Sequence, residues 1–309
     1  MGVRIVASGT SGVTNEANAS QHDGAIALGQ AAARACLASA GVAGADVDIL
    51  IYVGVYRDDN IVEPAIAALI QRDIGMSLDF AKTSVAGFSF DLLNSGCGIV
   101  NAMQVASAYL HGGGVRRVLL VSSDAHPSGR AAADFPFAAV GGALLLEHDA
   151  DAAAPRFGRL QVRDGGDGDG DDDDGVGPGS EGFLSFATAG TNGRDHITVV
   201  RDGDYEPRAL TLLSSSILEY AAAEGLNLDE TLIVTSSLSP GFGDKVAAAV
   251  GVAADRVLSA TGIDTDPLSS SLTIAWDQAA RSGRLSGTEP ILFAAVGGGL
   301  TSACLVCRR

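Results

Sequence analysis

Short unbroken apolar runs alternate with stretches of helical spacing along the whole chain. Val3 to Ala7 reads as a strand, and Gly24 to Ala40 as a helix stopped at Gly41, where glycine accepts the left-handed backbone that closes a helix. Asp48 to Val53 is apolar at consecutive positions, as expected of a strand covered on both faces. There follow a helix over Glu63 to Arg72, an extended segment from Ser89 to Leu93, a small-residue helix from Gly98 to Leu110 and a buried strand from Arg117 to Ser122. The second half repeats the order, with helices over Ala209 to Glu224, Asp244 to Val250 and Ser269 to Arg281. Its strands are Thr231 to Val234, Arg256 to Leu258 and Ile291 to Ala294. Helices set between apolar strands imply right-handed parallel crossovers and helix-covered sheets, an α/β architecture.

The repetition extends to the residues themselves. Phe137-Ala138-Ala139-Val140-Gly141-Gly142-Ala143-Leu144 recurs as Phe293-Ala294-Ala295-Val296-Gly297-Gly298-Gly299-Leu300. Each copy is expected to follow an amphipathic helix, and each leads into an apolar run, Leu144 to Leu146 or Ala303 to Val306. The chain therefore reads as two copies of one α/β unit, residues 1–163 and 183–309, and not as a solenoid of shorter repeats. Between them lies a Gly/Asp-rich stretch, 164–182. No register there places Gly sixth and Glu twelfth as a calcium loop requires, so a solvated, mobile acidic loop is expected.

A chain of 309 residues, 47% hydrophobic and 18% charged, buries a full core without staples. The net charge of −17 argues against nucleic-acid binding, which needs Lys and Arg to displace counterions from phosphate. No run reaches the roughly 20 apolar residues of a membrane span, and Met1 to Val6 turns polar too soon for a signal peptide. A cytoplasmic protein is expected, without metal or cofactor. Cys36 reads as a buried helix residue, and Cys304 and Cys307 as strand residues whose odd separation sends them to opposite faces.

Cys97 needs separate treatment. It enters a helix through Asn94-Ser95-Gly96-Cys97-Gly98, and a thiol at a helix N-terminus is biased toward thiolate by the macrodipole and by free N–H groups. Those N–H groups, with the tight Gly297-Gly298-Gly299 turn, suit an oxyanion on a thioester carbonyl. A cysteine between glycines serves as readily in packing. Ser95 is an alternative nucleophile that lacks a paired base, and His126, beyond the strand ending in Asp124, is an alternative base. No dinucleotide fingerprint, phosphate-binding loop or GxSxG elbow is present.

Ser89-Phe90-Asp91-Leu92 through Tyr109, followed by Val115 to Asp124, resembles the nucleophile region of β-ketoacyl-ACP synthase III. Ala279 to Leu285 and Val296 to Thr301 resemble the end of the same family. The resemblance implies a thiolase-like fold, two duplicated halves in a layered αβαβα core, and a tight dimer. It also implies a Cys, a His and an Asn for thioester acyl transfer and decarboxylative condensation. Aligned on those motifs, the nucleophile position falls on Gly96 with Cys97 next to it, the His position on Ser236 and the Asn position on Asp266; the oxyanion glycine is kept as Gly298. Serine for histidine removes the group that titrates near neutrality, and a carboxylate at 266 opposes both a thiolate and a malonyl carboxylate.

Three functions follow. The first is a catalytically degenerate partner subunit of an active condensing enzyme in fatty-acid or polyketide-type metabolism, in a homodimer or a heterodimer with a synthase III-like paralogue. The second is an acyltransferase that takes acyl groups from CoA or acyl carrier protein onto Cys97. The third is a homodimeric protein that binds acyl chains without turnover.

Overall fold

The computed structural model describes residues 2–13, 23–77, 87–130, 132–151, 154–165, 180–183, 193–285, 287 and 289–308. In chain order the first half holds β1 (Gly2–Ser11), α1 (Ala25–Ala40), β2 (Ile49–Tyr52), α2 (Ile66–Asp73), β3 (Phe88–Asp91), α3 (Gly98–His111), β4 (Arg117–Asp124) and β5 (Val140–Asp149). Then come β6 (Arg156–Phe157), β7 (Gln161–Asp164), β8 (Ser180–Phe183) and β9 (Thr198–Arg201). The rest is α4 (Tyr205–Glu224), β10 (Leu232–Thr235), α5 (Phe242–Val250), β11 (Val257–Leu258), α6 (Ser271–Arg281), β12 (Ile291–Gly297) and β13 (Thr301–Arg308).

One sheet runs β1-β5-β4-β2-β3 and the other β6-β13-β12-β10-β11, with β7 also on β13. In each, three parallel strands (β3, β2, β4; β11, β10, β12) continue into an antiparallel pair (β5, β1; β13, β6). The two halves thus share strand order and direction, as the alternation of runs and helices predicts. Strands β6 and β7 join the second sheet although they precede residue 165, so the sheets divide between Asp149 and Arg156. Most of the acidic stretch, 166–179, lies outside the described residues.

The apolar runs are continuous because alternate residues feed different layers. Ile49 and Ile51 of β2, Val118 and Leu120 of β4, and Ile291, Phe293 and Ala295 of β12 enter a central core together with α3 and α6. Their neighbours Leu50, Tyr52, Leu119 and Val121 pack under α1 and α2, and Leu292, Ala294 and Val296 under α4 and α5. The result is five layers, helices–sheet–helices–sheet–helices, matching the expected αβαβα core. Cys307 and Cys304 face the central and outer cores respectively, as their spacing requires. Cys36 is fully buried on α1, and burial pushes its thiol up to about 12. Helix α1 ends at Gly41 in the left-handed region (φ 65°), with Val42 N–H reaching back to Leu37 O at 3.0 Å.

Two expectations need correction. The helix placed over Glu63 to Arg72 begins only at Ile66, where the Asp91 carboxylate accepts the Ile66 and Ala67 amides at 3.1 and 2.8 Å. The repeated octapeptide does not mark equivalent positions. By topology β4 corresponds to β12 and β5 to β13, yet Phe137–Leu144 follows the loop after β4 and enters β5, whereas Phe293–Leu300 runs along β12. Its glycines are needed for unrelated reasons: a side chain at Gly142 would overlap Thr273, and one at Gly297 would press on Gly96 N and Ser95. The duplication is real; the octapeptide is out of register with it.

Candidate active site

The residues singled out in the sequence come from four turns at the ends of parallel strands. The Ser95–Cys97 turn, which leads from β3 into α3, packs against β12 and the turn Leu268–Ser270. Gly96, at the position that aligns with the nucleophile, is buried with its Cα against the Val296 carbonyl. A Cβ there would lie well inside van der Waals distance of that oxygen, so no side chain fits unless β12 moves. Cys97 is fully buried, and its thiol donates to Thr301 O at 3.2 Å. Burial, reinforced by nearby Cys304, pushes the thiol pKa well above its ordinary value. This corrects the expectation of an activated thiolate: one residue of helix turns a side chain by about 100°, and here that turn takes the sulfur into the core.

Gly298 keeps its place, and its amide already has an acceptor. The Gly298 N–H donates to Ser95 Oγ at 3.1 Å. Ser95 sits in the left-handed region (φ 45°) and is half-buried, while Gly96, Cys97 and Gly98 are buried. Ser236 lies at the end of β10, buried, and spends its hydroxyl on one neighbour: it accepts the Val296 N–H at 3.0 Å and donates to Val296 O at 3.3 Å. That pair of bonds ties β10 to β12 past the last ladder position, Thr235 opposite Ala294. The hydroxyl is a strand tie, used both as donor and as acceptor.

Asp266 is also buried and engaged. Its carboxylate accepts from Arg201 at 2.8 Å and from the Leu268 amide at 2.8 Å. The Arg201 guanidinium lies over the rings of Phe137 and Tyr205, 5.0 and 4.8 Å from their centroids. Burial raises the Asp266 pKa, opposed by Arg201. Beside it is a group that the sequence reading left without a role. Asp124, fully buried at the end of β4, accepts the Val55 and Tyr56 amides at 2.8 and 2.9 Å and the Ser269 hydroxyl. Burial raises its pKa too. The available signal was an acidic residue closing an apolar strand. Tyr56 stacks on Phe137 (4.8 Å) and meets Phe135 edge-on, so the two carboxylates lie beneath an aromatic cover.

His126 does not join this constellation as a base. Its Nδ1 is hydrogen-bonded to Ser128 Oγ at 2.7 Å, its ring sits edge-on to Phe135 at 5.3 Å, and partial burial lowers its pKa. Among the described residues no cluster of His, Cys, Asp and Glu could hold a metal ion, and no helix is long and apolar enough to cross a membrane.

Known proteins agree on the fold and on the resemblance. No family model matches the chain. It is 27% identical over 305 residues to the β-ketoacyl-[acyl-carrier-protein] synthase III of Mesorhizobium japonicum, covering 96% of this chain and 88% of that one. The structure superposes on 3-oxoacyl-(acyl carrier protein) synthase III, FabH, of Pseudomonas aeruginosa with a TM-score of 0.75 at 20% identity, covering 100% and 98% of the two chains. It also superposes on a cysteine-to-serine variant of Xanthomonas campestris OleA with bound lauric acid and lauroyl-CoA (TM-score 0.72, 14% identity, 100% and 99% covered). The chain resembles β-ketoacyl-ACP synthase III over nearly its whole length and has the same thiolase-like fold.

Proposed function

We propose that this chain is a condensation-incompetent synthase III-like subunit of fatty-acid or polyketide-type metabolism, acting as the partner of an active condensing enzyme. The closure of the nucleophile position carries the reading: Gly96 lies against the Val296 carbonyl, where a cysteine has no room. The neighbouring thiol is buried and held protonated. The two other reactive positions are committed as well, Ser236 to the Val296 backbone and Asp266 to Arg201. Decarboxylative condensation needs a nucleophile, an acid–base group and a donor converging on one reacting atom. Each replacement here is instead satisfied within the protein. The two sheets nonetheless keep corresponding strand orders, which supports a role for the body of the chain without the chemistry.

Co-expression with an active synthase III-like paralogue tests this. The expected outcome is a one-to-one heterodimer by native mass, with condensing activity that survives Cys97→Ala in this chain. A chain that stays apart from every such paralogue, or a heterodimer silenced by Cys97→Ala, contradicts it.

A further inference from the structure

The turn between β3 and α3 holds one side chain in the attitude of a nucleophile, and it is not the cysteine. Ser95 adopts φ 45°, a left-handed conformation that residues other than glycine rarely enter and that the surrounding structure must enforce. The enforcing contacts are on both sides. Gly96 is closed on the Val296 carbonyl, and a Cβ at Gly297 would fall 3.1 Å from Ser95 Cβ. The hydroxyl lies 3.1 Å from the Gly298 nitrogen, a backbone donor from the glycine turn, and Ser95 is half-buried where the next three residues are buried. A strained serine on a strand-to-helix turn, hemmed by glycines with its hydroxyl beside a backbone N–H, has the mechanical features of a nucleophile elbow without the GxSxG sequence.

We infer that Ser95 is an acyl-accepting residue, taking an acyl group from a thioester as an oxygen ester. The inference rests on the synthase III-like reading of the site and not on the existence of a partner subunit. In the step, Ser95 Oγ bonds to the thioester carbonyl carbon, the C–S bond breaks, and the hydroxyl proton leaves with the departing thiolate as free thiol. No oxidant or reductant enters. The Gly298 N–H transfers its hydrogen bond from the hydroxyl to the carbonyl oxygen as negative charge develops there. Because no imidazole among the described residues is hydrogen-bonded to Ser95, the acyl-enzyme forms slowly and persists: the chain stores an acyl group and does not turn it over.

The experiment incubates the full chain with lauroyl-CoA, and in parallel with acetyl-CoA, followed by acid quench, intact mass measurement and peptide mapping. Wild type and Cys97→Ala are expected to gain one acyl group on Ser95, stable to neutral hydroxylamine, which cleaves thioesters and spares oxygen esters. Ser95→Gly, which suits the left-handed backbone and keeps the fold by its melting temperature, is expected to gain none. Ser95→Cys is expected to label at least tenfold faster and to release the acyl group to hydroxylamine. A wild type that stays unmodified over hours, an adduct on Cys97, or equal labelling of Ser95→Gly overturns the inference. Heterodimer formation by Ser95→Gly is measured separately, so failure here and failure of the partner reading remain distinct.

Discussion

At Cys97 the local motif and the three-dimensional placement disagree. A cysteine at a helix start, flanked by glycines, has the sequence of an activated thiol. What decides its chemistry is the direction of the side chain, and Cys97 points at Thr301 O in the core. Its raised pKa follows from burial, so the native protein is expected to resist iodoacetamide at pH 8 at Cys97 and to react there only after denaturation. Peptide-resolved labelling checks this, and rapid native alkylation of Cys97 would contradict it. A cysteine placed at the position that aligns with the nucleophile is expected to harm the protein. Gly96→Cys forces a Cβ against the Val296 carbonyl, at a cost of about 1–3 kcal/mol or more of stability, read as a lower denaturation midpoint. Of the candidate residues, the sequence located Gly96, Ser236, Asp266 and Gly298 by alignment alone. It did not show that Ser236 is taken by Val296 or that Gly298 is taken by Ser95, because both pairings join residues tens or hundreds of positions apart.

Elements were more legible than side chains, for a physical reason. A strand buried on both faces must be apolar at every position, and β2, β4 and β12 therefore announce themselves. Phe293 shows the energetic side: fully buried, stacked on Trp276 (5.5 Å) and near Phe157 (6.3 Å), it joins β12 to the central layer. Phe293→Ala is expected to cost about 3–5 kcal/mol, measurable by urea unfolding. The β8–β9 hairpin went unread because its role is tertiary. It delivers Arg201 to Asp266, and the preceding backbone is held by the Asn60 amide, which donates to His196 O at 2.8 Å. Since burial raises the Asp266 pKa, ionising it costs folded-state stability, and the stability present below the unfolded carboxylate range is lost as pH rises through the raised value. Asp266→Asn removes that titration. The stability of wild type relative to this variant is therefore expected to fall with rising pH from the unfolded carboxylate range upward, and a flat or rising difference in pH-dependent unfolding would contradict it.

For the whole molecule, the octapeptide led to the right conclusion by the wrong correspondence: the halves match in strand order, not at Phe137 and Phe293. Alternating runs and helices were sufficient evidence of duplication. Strand order also gathers the reactive positions into one region, since the Ser95–Cys97 turn, the turn after β12, the end of β10 and the loop before α6 all stand at corresponding ends of parallel strands. Duplication thus brings these positions together while Ser236, Asp266 and the Gly298 amide are each hydrogen-bonded within the protein, and the proposed function is that the chain does not condense. The most direct test of that claim is a decarboxylation and condensation assay on the purified chain alone, with malonyl and acyl thioesters and Cys97→Ala as the comparison. No carbon dioxide release or β-ketoacyl product above background is expected in either protein. Turnover by wild type that disappears in Cys97→Ala would contradict it.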